Sequence, residues 1–406
     1  MERLKILFER WWIVLALVAS VPFFYTQALA NEGAVDYVNN AFFSFWLAGR
    51  MIWTGGHPYS SIEWAVGHHS YGATYIPDPI FPYPLPLTLF MAPLGLLSIR
   101  DSYILWGTLS QLIVAAMIFL LATLWDGLNR RLFALLILVA VILNGNIHLM
   151  VLTGGIGSLF LVFLAAALYC AHRGWNFLSG VLLAFLALKP PLLVIVALIG
   201  LWLLLRRNWK MIAGIVSGGL GLLVVGMIQD PGWVAKFQGV GGNLFSLRLG
   251  YQPTIISYTR LACGGDLTCA LWLYILIGCL LVGAYAWFIW KQRDQLGILP
   301  VFSLAIALGV LLPPYLWSYD YVLLVIPLVY ISLELVCRTA SYIRATLILI
   351  AFDTLSLVAV ILFWLNPASD ALTIQRDMWS IWVGLFVCAV CWWMVFRGQS
   401  DKFEEK

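Results

Sequence analysis

The sequence predicts an all-α polytopic membrane protein built as a single domain over residues 1–406. Three observations carry this prediction. The chain is 63% hydrophobic and only 10% charged, too few charges to cover the surface of a soluble protein of this length. Its mean hydropathy is +0.94. Apolar runs near the length needed to cross a ~30 Å hydrocarbon core recur from end to end.

Taken in order, the runs lie at 11–30, 102–124, 132–148, 156–171, 175–188, 191–205, 209–228, 268–290, 297–312, 321–336, 344–364 and 379–396, about twelve spans. The first, Trp11 to Ala30, is too long and too aromatic for the core of a cleaved signal and reads as a retained anchor. A further apolar segment, Pro84 to Leu97, is short and carries Pro84, Pro86 and Pro93. It reads as re-entrant or interfacial, and charge is the reason. If it does not cross, 16 of the 23 Lys and Arg fall on the side of both termini, including Arg130, Arg131, Arg206 and Arg207. If it crosses, every later loop reverses against the positive-inside rule.

This topology puts two long segments outside, 31–101 and 229–267, and a short tail inside, 397–406. Long loops rich in aromatics, Gly and Pro tend to carry function, so the working face is expected to be the outer one. The net charge of +4 is small and dispersed and makes no basic patch, so nucleic acid is not an expected partner. Of seven cysteines, five sit in or beside apolar runs and read as small fillers. Cys263 and Cys269 share the polar loop CGGDLTC, where a disulfide and two free thiols stand as alternatives.

The outer segments hold the candidate chemistry. Asp36 precedes a helical pattern in which Phe42, Phe45, Trp46, Gly49, Ile52 and Trp53 share one face, as expected of a helix lying on the membrane interface. Asp36 reads either as the cap of that helix or as a general base at the membrane surface. His57 in GGHPY closes the helix with a tight turn. His68, His69, Glu63 and Asp78 share the loop, but no ligand-type spacing supports a metal. FPYPLP (81–86) breaks any regular helix. Asn144, Asn146 and His148, from NGNIHLM, sit at an outer helix end, where buried amides either bind sugar hydroxyls or join helices. Lys189 in ALKPP stands between two apolar halves. A cation in a membrane segment is expensive and reads as an anion site, with snorkelling to the outer edge as the alternative. Tyr319 and Asp320 lie in LPPYLWSYDYVLL, again a proline break followed by an acid. Arg248, Gln252 and Arg260 add cations and an amide from the second outer loop. The chain has no D-x-D triad, which disfavours a metal-bound nucleotide sugar, and no P-loop, GxGxxG, HExxH or GxSxG.

In this order, Asp36-Tyr37, GGHPY, FPYPLP, N-G-N-x-H, L-K-P-P and W-S-Y-D-Y resemble glycosyltransferase family 87 over roughly residues 30–330. The resemblance implies a GT-C-like fold and an active site facing outward in a bacterial plasma membrane, with both termini cytoplasmic. It implies a polyprenyl-phosphate sugar as donor, a lipid or glycan acceptor and no cofactor or metal. Asp36 matches the family's catalytic acid. Lys189, with Arg248 or Arg260 and Tyr319, would serve the donor phosphate. Asn144, Asn146, His148, Gln252, Asp320 and His57 would serve the sugar or acceptor. The chain departs from the family at Asn146, where many members carry Gln, and at Tyr319-Asp320, where mycobacterial mannosyltransferases carry a nearby histidine.

The expected function is therefore an inverting, mannosyltransferase-like hexosyltransferase. The alternative is a flippase or exporter of polyprenyl-linked glycans. A transporter needs gates on both faces, whereas here the inner loops are short and the polar groups gather on one side.

Overall fold

The computed structural model describes residues 2–34, 36–74, 76, 78–124, 137–140, 142–239, 252–339, 342–365 and 376–404. It is all-helical, with 81% helix and no strand among the described residues. The α-helices are α1 (Glu2–Ala34), α2 (Ala41–Thr54), α3 (Ser61–Ser70), α4 (Leu87–Gly95), α5 (Ile99–Ala122), α6 (Gly145–Thr153), α7 (Gly157–His172) and α8 (Asn176–Ala184). They continue as α9 (Leu193–Leu205), α10 (Trp209–Gln229), α11 (Ile255–Ala262), α12 (Leu267–Gln292), α13 (Ile298–Gly309), α14 (Val325–Thr339), α15 (Tyr342–Leu365) and α16 (Ile381–Glu404). Short 3-10 helices cover Phe185–Leu188, Pro190–Leu192, Ser318–Leu324 and Arg376–Ser380.

Six helical stretches among the described residues are long and apolar enough to cross a membrane: Ile99–Ala122, Trp209–Gln229, Leu267–Gln292, Ser318–Arg338, Tyr342–Leu362 and Met378–Phe396. Four shorter apolar helices stand beside them. The chain is a polytopic membrane protein. Its layers follow from burial. The Ser318–Arg338 span is 89% buried, whereas only 6% of the Leu267–Gln292 span is. The first is the centre of the bundle, wrapped by α6, α7, α13 and α16. The second turns Trp272, Leu276, Leu280 and Trp287 outward, as a helix facing lipid does.

Lipid offers no hydrophobic drive between helices, so close approach relies on small residues. Gly180 of α8 meets Met211 of α10 so closely that an added Cβ would lie 2.0 Å from its carbonyl oxygen. Gly214 of α10 returns the contact at 2.1 Å from Phe177 O. The same device joins α2 to α4. A Cβ on Gly49 would lie 2.3 Å from Met91 O, and one on Gly95 would lie 2.4 Å from Arg50 N. α4 is nine residues long, a rise of about 14 Å that cannot cross a bilayer. Its last carbonyls are taken by α2 side chains. Trp53 Nε1 donates to Ala92 O at 2.6 Å, Arg50 Nη1 to Gly95 O at 3.0 Å and Trp46 Nε1 to Leu97 O at 3.2 Å.

α2 is therefore not the interfacial helix that its pattern predicts. Residues 42–49 are all buried, because α4 closes one side and the rest of the first long loop closes the other. Phe43 packs on His68 of α3, Trp46 on Tyr71 and Phe45 on Tyr83. Trp53 alone among its Trp and Phe residues is exposed. His68 is buried between Phe43 and Trp64, with Nδ1 2.9 Å from Trp64 O.

A side chain at position 180 has only backbone to displace. Gly180→Leu is expected to destabilise by at least ~1–3 kcal/mol, read as a lower melting temperature or as lost folded yield in detergent. Burial holds the His68 pKa below the ordinary histidine value. Protons then bind the unfolded loop first, so stability is full above pH ~6.5 and falls as pH drops toward the folded value. Melting temperature should decline from pH 7.5 to 5, and His68→Phe should flatten that decline.

Candidate active site

The site is built at two proline breaks. The residue before a proline is driven out of the α region. Lys189 precedes Pro190 and takes φ −133°, ψ 90°, which parts the 185–188 and 190–192 turns. Pro313 and Pro314 follow α13, and the chain is non-helical from there to Trp317, which is extended, before the 318–324 turn. These breaks face each other. Lys189 Nζ donates to both Asp320 carboxylate oxygens at 2.6 Å. Lys189 is 1% exposed and Asp320 0%. Trp317 N donates to Asp320 Oδ2 at 3.1 Å. The ammonium lies over the Tyr319 ring at 5.0 Å and the Tyr83 ring at 6.0 Å, a cation–π setting. Lys189 does not snorkel to the surface. The two residues assigned to separate ligands form one neutral buried pair.

A glycine turn, Thr153-Gly154-Gly155-Ile156-Gly157, links this pair to the first long loop. An added Cβ on Gly155 would fall 2.7 Å from the Tyr319 ring, and one on Gly157 would fall 2.9 Å from Tyr319 O. Gly154 takes φ +64° and lies so close to Phe42 that a Cβ would meet Phe42 Cβ at 2.3 Å. Trp106 Nε1 holds Gly155 O at 3.2 Å, and the Tyr103 hydroxyl holds Leu152 O at 2.7 Å. Tyr103 stacks on Tyr37 with ring centroids 5.6 Å apart, and Asp36 is the next residue. Asp36 does not cap α2. Asn40 does, accepting from Phe42 N at 2.9 Å. The Asp36 carboxylate instead closes its own turn, accepting from Val38 N, Asn39 N and Asn39 Nδ2 at 3.2, 3.3 and 2.6 Å, and it is exposed. The carboxylate is oriented and accessible, as a proton acceptor must be.

The remaining candidates divide. Asn144 caps α6 and its Nδ2 donates to Asp353 Oδ1 at 3.4 Å. Asn146 Oδ1 accepts from Ser380 Oγ at 3.2 Å. These amides join α6 to α15 and to the 376–380 turn. His148 Nδ1 lies 2.8 Å from Gln27 Nε2, tying α6 to α1. His57 is exposed in the turn after α2, where its N–H donates to Glu63 Oε2 at 2.8 Å. Gln252 is fully buried, just before α11. Arg260 stands in the last turn of α11, beside the Cys263–Cys269 loop, and those cysteines are joined in a disulfide. Arg248 lies outside the described residues. No group of three or more potential metal ligands occurs among the described residues.

Sequence reasoning missed Tyr83 as a partner of the cation and missed the glycine turn. Three glycines in four positions between two apolar runs were the available signal. It also missed an apolar groove of 550 Å³ between α4, α8 and α10, lined by Pro86, Leu89, Phe90, Phe177, Val181, Phe185, Gly218, Gly221, Leu222 and Val225, with Ser217 beside them. Phe185 lies four residues before Lys189 and Pro86 three after Tyr83, so two lining positions adjoin the elements that hold the cation.

Residues 81–314 match the family model described as glycosyltransferase family 87. The chain belongs to that family. No curated protein and no solved structure matches it. This family-87 glycosyltransferase is therefore an enzyme that moves a sugar from a donor to an acceptor. The matched segment contains Tyr83, the glycine turn, Lys189 and the groove, while Asp320 lies just beyond its end and Asp36 well before its start.

Removing one partner of a buried ion pair strands the other charge at a cost of about 3–5 kcal/mol. Lys189→Ala and Asp320→Ala should each lower folded yield and melting temperature sharply. The double substitution Lys189→Met with Asp320→Leu should recover stability, since apolar replacement of a buried pair is often neutral or better. If the pair serves only the fold, the double variant also recovers transfer. If it serves the donor, transfer stays absent.

Proposed function

We propose that this enzyme transfers a hexose, with inversion, from a polyprenyl-phosphate donor to a lipid or glycan acceptor at the outer face of a bacterial plasma membrane. The observation that carries the reading is a buried, ring-flanked cation together with an apolar groove among membrane helices, two of whose lining residues adjoin in sequence the elements that hold the cation. A phosphate needs the first and an isoprenoid chain needs the second. A donor anchored in the bilayer brings its own leaving group and requires no nucleotide site.

In the transfer, the acceptor hydroxyl oxygen bonds to the anomeric carbon from the side opposite the phosphate. Asp36 takes the hydroxyl proton. The bond between the anomeric carbon and the phosphate oxygen breaks, and its electron pair leaves with the polyprenyl phosphate. Lys189 meets the developing charge, exchanging one of its Asp320 contacts for a phosphate oxygen, so the ammonium stays paired throughout. Tyr319 and Tyr83 frame it, and Arg260 or Arg248 from the second outer loop supplies further positive charge. Asn144, Asn146, His148, Gln252 and His57 are proposed as polar groups for the sugar or acceptor, Asn144, Asn146 and His148 doing so from positions where they also join helices. The Cys263–Cys269 bond supports placing this loop in an oxidising compartment, and the positive-inside count supports cytoplasmic termini.

Detergent-purified protein assayed with polyprenyl-phosphate hexoses tests the reading. Asp36→Asn keeps the shape of the carboxylate and loses the proton acceptor, so kcat should fall by about 10²–10⁴-fold with folding intact. Unchanged turnover would remove Asp36 as base. Gly221→Trp should intrude on the groove that Gly221 lines, and its Cβ meets nothing within 4 Å. It should raise KM for a long-chain donor while sparing a donor with a short prenyl chain. Equal effects on both would place the isoprenoid elsewhere. Lipid-linked glycan flux in liposomes without transfer would favour the flippase.

A further inference from the structure

Three elements converge on the 318–324 turn. The Tyr321 hydroxyl donates to Pro253 O at 2.6 Å, and Tyr321 directly follows Asp320. The Tyr258 hydroxyl of α11 donates to Met378 O at 3.1 Å. Ser380, on the same 376–380 turn, donates to Asn146 Oδ1 at 3.2 Å. The backbone of the 252–255 segment is anchored on both sides. Gln252 N donates to Ser257 Oγ at 3.2 Å and Ile255 N to Leu311 O at 3.1 Å.

The side chains of that segment are treated in the opposite way. Gln252 and Thr254 are both 0% exposed. Among the described residues, Gln252 Nε2, Gln252 Oε1 and Thr254 Oγ1 have no hydrogen-bond partner, and neither has the buried Nδ2 of Asn146. Buried polar groups are paired in the great majority of cases, and each exception calls for an account. Leaving a full carboxamide and a hydroxyl unpaired is costly, and here it happens within three residues whose backbone is pinned.

We infer that the unpartnered side chains of Gln252 and Thr254 read the hydroxyls of the transferred hexose and so set which hexose epimer is used. A carboxamide offers one acceptor and one donor side by side, the complement of two neighbouring ring hydroxyls. The threonine hydroxyl both donates and accepts. The hexose is one bond from the donor phosphate, and Asp320, which holds Lys189, is the neighbour of the residue that anchors Pro253. The inference rests on the polyprenyl-phosphate hexose reading and adds a specificity role to it. A site built to bond a hydroxyl rejects the sugar that lacks it, because its own groups are then stranded.

Gln252→Met and Thr254→Val remove the polar groups and keep their volume, and two readouts follow. The free protein should melt ~1–3 °C higher in either variant, because an unpaired buried group has been removed. Transfer from polyprenyl-phosphate mannose, glucose and galactose should lose kcat/KM by about 10- to 100-fold for the preferred donor and less for the others, so the epimer ratio narrows. A lower melting temperature, or an equal loss for all three donors, overturns the inference, since both mark groups that hold the fold. Failure of the donor reading looks different. The unsubstituted protein then transfers none of the three hexoses, and the direction of the melting shift alone decides whether the groups stand unpaired for a ligand.

Discussion

The rest of this structure depends on one ion pair, in which Lys189 meets Asp320 of the most buried span of the bundle. Taking two charges out of water costs several kcal/mol per ion, and only close geometry offsets it. Both carboxylate oxygens at 2.6 Å from one ammonium, a backbone N–H on the same carboxylate and two aromatic rings over the cation supply that geometry. The pair also explains the irregular backbone around it. Non-helical chain at membrane depth is tolerated only where protein surrounds it. The Lys-Pro-Pro break and the Pro-Pro break after α13 satisfy that condition by enclosing each other.

Small residues let the surrounding helices come close enough to build this enclosure. Gly180 and Gly214 bring α8 and α10 together, and those helices form two walls of the apolar groove. Gly49 and Gly95 join α2 to α4, the third wall. Gly154, Gly155 and Gly157 seat Phe42 and Tyr319 on one turn. The same economy of side-chain volume thus packs the bundle, leaves the groove open beyond the crossing points and couples the loop of Asp36 to the buried cation.

The site holds two kinds of polar group. Asp36 is exposed, while the Lys189–Asp320 pair is enclosed. In the proposed mechanism the division has a chemical sense. A carboxylate that takes a proton from an arriving acceptor must be reachable, while a cation that meets a leaving phosphate acts more strongly where water is excluded. The first long loop packs His68, Tyr71, Trp64 and Phe81 against the Phe43 and Trp46 face of α2.

The helical class, the membrane setting and most helix positions were legible in the sequence, because a ~30 Å apolar slab sets the length of each run and a closed backbone demands helices. Lys189 was legible as an anomaly for the same reason, a charge where hydrocarbon allows none, and Asp320 as an acid after a proline break. Their pairing was not, since 131 positions separate them and hydropathy holds no record of which span faces which. Asn40 rather than Asp36 caps α2, because the backbone turns from extended to helical at Asn40. The enclosure of α2 was hidden because an aromatic helix face looks alike against lipid and against protein. The groove was invisible for a related reason: it is space left between three helices, and only their crossing angles and glycine contacts determine it. Composition and periodicity determined which segments enter the membrane, and tertiary packing decided which of their few polar groups meet.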